Sequence, residues 1–168
     1  MPGWRVPLAG VTVALSLTAC ALRQAPMSVY HSDKGYRVTL PGQDWQIAGE
    51  RRADLELRHR QGRAGMLVNA SCGSRLSGRS PDDLSREILA GFSARDVQQR
   101  GAARVAGREA THVVAEGRSG GSRQRVRVEM YVVKDGRCVY DLLYAAAPAD
   151  FAVWREDFRR LVETFALE

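Results

Sequence analysis

Residues Arg125 to Val133 alternate without a break. Val126, Val128, Met130 and Val132 form one set, and Arg125, Arg127, Glu129 and Tyr131 stand between them. A period of two sends successive side chains to opposite faces of a strand. Lys134-Asp135-Gly136 supplies a turn, and Cys138 to Tyr144 returns as a second strand, so this stretch is expected to be an antiparallel hairpin. A two-residue Asp-Gly turn would pair Met130 with Asp141 and put a carboxylate on the apolar face. A three-residue loop with Gly136 in the left-handed region instead pairs Val132 with Cys138, Met130 with Tyr140 and Val128 with Leu142. It also leaves Asp141 opposite Glu129 on a polar side. A slip of one residue flips every side chain, so burial selects the three-residue loop.

The rest of the chain extends the sheet and supplies helices to cover it. Tyr36 to Leu40 alternates, Pro41-Gly42 turns, and Trp45-Gln46-Ile47 begins another strand. Leu55 and Leu57 alternate with charged residues up to Gln61-Gly62, and the return strand puts Met66, Val68, Ala70 and Cys72 on one face. A helix is expected after Ser80 as N-cap, with Pro81 at its first position and Asp82 and Asp83 in its first turn. Leu84, Ile88 and Phe92, with Leu89 beside them, make its apolar stripe. Ala103 to Val105 and Thr111 to Ala115 have strand character around Gly107-Arg108, and Gly117 to Ser122 reads as a loop. After Pro148, the residues Phe151, Trp154, Phe158, Leu161, Val162 and Phe165 give a second helix a broad apolar face. The expected fold class is α+β: a central antiparallel sheet of about six to seven strands with helices packed on it.

The start of the chain has a different character. Val6 to Ala19 is an apolar run preceded by Arg5, and it is shorter than the roughly 20 residues a membrane-spanning helix needs. Its ending, Leu17-Thr18-Ala19-Cys20, resembles the lipobox of bacterial lipoproteins. That resemblance implies acylation of Cys20 and cleavage before it. It divides the chain into a signal peptide (1–19), a lipidated tether (20–29) and one domain (30–168). Ala21, rather than Asp, follows the cysteine, which implies the outer membrane over the inner and the periplasmic face. The competing pattern is ordinary secretory cleavage at Ala19-Cys20-Ala21, which would discard Cys20. With residues 1–19 removed, 149 of the 168 residues remain, enough for one domain with its own core. Losing Arg5 takes the net charge from +6 to +5, nearly all of it arginine.

Cys72 and Cys138 remain. Both are read as facing inward, and in an oxidising compartment such a pair makes a disulfide if the strands adjoin; otherwise they are two buried thiols.

Five features in order resemble the PsbP-like and DcrB-like families: Gly35-Tyr36-Arg37-Val38-Thr39-Leu40-Pro41 with Trp45, the capped mid-chain helix, Gly107-Arg108-Glu109-Ala110, the hairpin at Asp135-Gly136, and the last helix with Phe158 and Phe165. The resemblance covers residues 30–166 and implies a PsbP-like sandwich. It also implies an accessory, binding or assembly role with no catalytic residues and no cofactor. Bacterial members are often envelope lipoproteins.

Other motifs lack their chemical context. Gly117-Arg118-Ser119-Gly120-Gly121 has the G-x-S-x-G form of hydrolases, yet a strand follows it and His112, the last histidine, precedes it. Gly73 to Ser80 is one substitution from a P-loop, with Arg79 in place of its lysine. His31, His59 and His112 lack metal-ligand spacing, so no metal is expected; His59 would continue the inward face of Leu55 and Leu57. Arg51, Arg52, Arg58, Arg60 and Arg63 are the densest basic stretch. Arg58, Arg60 and Arg63 are candidate anion contacts, but with no interleaved aromatics no nucleic-acid partner is expected. The expected partners are the membrane, through Cys20, and an envelope protein or anionic envelope surface. An envelope carrier of a small ligand, or an envelope hydrolase, is the alternative.

Overall fold

The computed structural model describes residues 27–49, 52–119 and 124–168. Ten strands and two helices follow one another as β1 (Val29–Ser32), β2 (Tyr36–Thr39), β3 (Trp45–Ile47), β4 (Leu55–His59), β5 (Ala64–Cys72), α1 (Pro81–Ala90), β6 (Phe92–Val105), β7 (Arg108–Ser119), β8 (Arg125–Asp135), β9 (Cys138–Ala146), α2 (Phe151–Thr164) and β10 (Ala166–Leu167). Seven strands form one antiparallel sheet in the order β3-β4-β5-β9-β8-β7-β6, and β1, β2 and β10 form a small second sheet. The chain crosses from β5 through α1 to the far edge at β6, then meanders back until β9 closes on β5. The α+β reading therefore holds.

Both faces of the large sheet are covered. On one side α1 packs Leu84 and Leu89 against Val113, Val128, Met130, Val132 and Val139. On the other, α2 and the small sheet enclose the main core, which includes Tyr36, Leu57, Met66, Val68, Leu142, Tyr144, Phe158 and Leu161. Helix α1 starts as its sequence dictates: the Ser80 hydroxyl accepts from the Asp83 amide at 3.1 Å. It ends at Gly91, so Phe92 is not on the helix; it opens β6 and still packs on the α1 cluster.

The β8–β9 hairpin differs from its sequence reading. Gly136, at φ 55°, and Arg137 form the turn, and Asp135 pairs with Cys138, Val133 with Tyr140 and Val132 with Asp141. The expected pairing of Asp141 with Glu129 is absent: Glu129 lies opposite Val114 and Tyr144. The cause is the double coverage. Val128, Met130 and Val132 serve the α1 face, whereas Glu129, Tyr131 and Val133 pair with residues of the α2 core. Gly117, Arg118 and Ser119 also depart from expectation, since they continue β7 rather than forming a loop.

Cys72 and Cys138 pair directly across β5 and β9 and are bonded, with their Cα atoms 4.1 Å apart. Cys72 is exposed and Cys138 only partly buried, so the bond closes the end of the strand pair instead of lying in the core.

Candidate functional site

Glu129 is fully enclosed, at 0% exposure, between β8 and α2. An unpaired carboxylate there would be costly, and two neighbours supply what burial removes. Arg155 of α2 donates through Nε at 2.6 Å and Nη2 at 3.0 Å. His112 of β7 places Nε2 2.8 Å from Oε1 of the same carboxylate. Burial pushes the Glu129 carboxyl up, but the bonds from His112 and Arg155 outweigh it and hold it below the usual range. The His112 ring stacks on Tyr131 with centroids 4.5 Å apart. Phe151 receives the guanidinium groups of Arg127 and Arg155 over its ring at 5.5 and 5.6 Å. Toward solvent, Glu116 joins Arg125 at 2.8 Å and Arg127 at 3.0 Å.

Beside this network lies an open cleft of about 430 Å³. Arg104, Val105 and Ala106 form one wall, Tyr131 contributes from β8, and Arg159, Val162 and Glu163 of α2 form the other wall. The first wall exists because the β6–β7 turn is tight: Val105 pairs with Arg108, and both turn residues, Ala106 (φ 50°) and Gly107 (φ 73°), are left-handed. Ala106 adopts this conformation without the freedom of glycine.

The two sequence-selected histidines besides His112 have other roles. His59 is buried between Trp45 and Trp154, with ring centroids at 5.1 and 4.5 Å, and its Nδ1 accepts from the Gln61 amide at 3.3 Å. Trp154 also packs on Gly62, where a Cβ would come within 2.1 Å of the indole. His31 is exposed against Glu168. Arg58, Arg60 and Arg63 are all exposed around the β4–β5 connection; Arg58 already pairs with Glu56 at 3.1 Å. Gly73 to Ser80 forms a short 3₁₀ turn and the α1 cap. Cys20, Arg51, Gly120 and Gly121 lie outside the described residues. Among the described residues no cluster suits a metal ion, and no helix is long and apolar enough to cross a membrane.

On the α1 side the buried acid is Asp141, whose Oδ1 has no hydrogen-bond partner among the described residues. Burial raises its carboxyl to about 6. Sequence reading missed the roles of Glu129, Arg155 and Asp141, because each looks like an ordinary solvated charge until the register is known.

A seven-stranded antiparallel sheet held between α1 on one side and α2 with a three-stranded sheet on the other is the architecture of a PsbP-like domain. The chain is similar to the solution structure of cyanobacterial PsbP (CyanoP) from Synechocystis sp. PCC 6803, with a TM-score of 0.60 at 12% identity over 90% of this chain and 99% of that one. It is similar also to LpqN, involved in cell envelope biogenesis of Mycobacterium tuberculosis, with a TM-score of 0.61 at 15% identity over 86% and 87% of the two chains. A Bacteroides thetaiotaomicron protein gives a TM-score of 0.60 at 7% identity, with 83% of this chain spanning 48% of that one. No family model and no curated protein matches the sequence. At these identities the likeness establishes the fold.

Proposed function

We propose that this chain is a non-catalytic accessory or binding protein of the bacterial cell envelope, held to a membrane by a lipid on Cys20. The observation that carries the non-catalytic part is the closed network at Glu129. His112 and Arg155 both bond to this one enclosed carboxylate, which ties α2 to the sheet. His112 bonds to Glu129, and not to Ser119 or Asp141 as a hydrolase built on those residues would require. Next to it lies a cleft lined by Arg104, Val105, Tyr131, Arg159, Val162 and Glu163, which supports a binding role. The lipobox ending at Cys20 supports the anchor, and Ala21 after it supports the outer membrane and the periplasmic face. LpqN, of the same fold and involved in cell envelope biogenesis, supports the compartment.

The small-ligand carrier is the second reading, and the cleft is what favours it. A carrier encloses its cargo, however, and this cleft is open. The partner is an envelope component, protein or anionic surface.

Fractionation tests the anchored part of the proposal. Wild-type protein is expected in the membrane fraction and labelled by palmitate, and Cys20→Ser is expected in the soluble fraction, unlabelled and with the same far-UV circular dichroism. Soluble, unlabelled wild type would overturn the anchor. Crosslinking from intact membranes then identifies the partner.

A further inference from the structure

We infer that the cleft between the β6–β7 turn and α2 is a binding site for a small anion, a carboxylate or phosphate monoester, carried on an aromatic or aliphatic body. This rests on the domain being a binding module. The carrying observation is the state of the arginines. On α2, Arg155 is bonded to Glu129 and Arg160 to Asp157, whereas Arg159 comes no nearer than 3.9 Å to a carboxylate, that of Glu156. Across the cleft, Arg104 donates only to the neutral carbonyl of Gly107, at 3.1 Å. Neither guanidinium hydrogen-bonds a carboxylate among the described residues, and both line the same cleft. Arg125 and Arg127, by contrast, share Glu116.

Between the two cations lies apolar and aromatic surface. Val105 and Val162 flank Tyr131, whose ring is braced from behind by His112 and Phe158. Tyr131 lines the cleft, and a phenol hydroxyl can donate to an anion. A volume of about 430 Å³ suits a ligand of one ring with a charged head. Two forks of guanidinium N–H groups suit a carboxylate or phosphate, and the rings and valines suit what bears it. Glu163 on the same wall limits the charge the site accepts.

Isothermal titration of the purified full-length protein in detergent, with blank micelles subtracted, tests the site with phenylacetate and phenyl phosphate. Both are expected to bind saturably, with benzyl alcohol and acetate at least tenfold weaker. Arg104→Gln and Arg159→Gln, both at exposed positions, are each expected to weaken binding about tenfold. Glu163→Gln is expected to tighten it about threefold, a sign that mere loss of packing would not produce. Arg58→Gln is expected to change nothing. No saturable binding, equal affinity for the neutral analogue, or insensitivity to both cleft arginines would overturn the site. Release of phenol from phenyl phosphate would instead overturn the non-catalytic reading, and membrane release of Cys20→Ser is independent of either result.

Discussion

Two enclosed carboxyl groups, those of Asp141 and Glu129, are shifted in opposite directions. Asp141 has a carboxyl raised to about 6, above its ordinary 3.8, because burial disfavours its charge. The folded state therefore holds its proton through the window from about pH 4 to pH 6, stability falls as pH rises through it, and the cost persists above. Asp141→Asn is expected to stabilise the protein at pH 7.5 by about 2 kcal/mol, with the gain vanishing near pH 4; thermal melts at the two pH values check this. Glu129 is depressed, so its contribution is present above the ordinary carboxylate range and lost as pH falls through its folded value. Glu129→Gln strands Arg155 and is expected to cost about 3 kcal/mol in urea unfolding. The double change Glu129→Leu with Arg155→Met is expected to recover much of that loss, because no buried charge is then left alone.

At the level of elements, the sequence was most informative where one local signal decided the outcome. Ser80, Pro81, Asp82 and Asp83 mark the start of α1, and the alternation of Leu55, Leu57 and His59 puts all three in the core. The signal failed where two faces compete. Alternation in β8 marks a strand, but both of its residue sets are covered, so taking Val128, Met130 and Val132 as the only buried set chose the wrong hairpin register. The length of β6 was hidden for the reverse reason. Ser93 to Gln99 are exposed at this sheet edge, so no apolar period betrays the strand. The Cys72–Cys138 bond belongs to this scale as well. It spans 66 positions and is expected to contribute about 4 kcal/mol by constraining the unfolded chain. Reduction is therefore expected to lower the melting temperature in calorimetry while the far-UV spectrum at 25 °C stays folded, since the core around Leu142, Tyr144 and Phe158 does not depend on it. Unfolding at 25 °C on reduction would contradict that.

For the molecule as a whole, the order of elements was legible and the cleft was not. A strand opening at Tyr36, a capped helix, a late hairpin and an aromatic last helix follow one another as expected, and the α+β sandwich they form matches the PsbP-like neighbours. The cleft draws on Arg104, Tyr131 and Arg159, which are far apart in the chain and come together only when α2 folds across the sheet. The envelope role depends on what Cys20 carries. The direct measurement is intact mass and N-terminal sequence of the protein purified from bacterial membranes. The account predicts a mature chain beginning at Cys20 and bearing a diacylglyceryl group on its sulfur. An unmodified chain beginning at Leu22, the product of ordinary secretory cleavage, would contradict it.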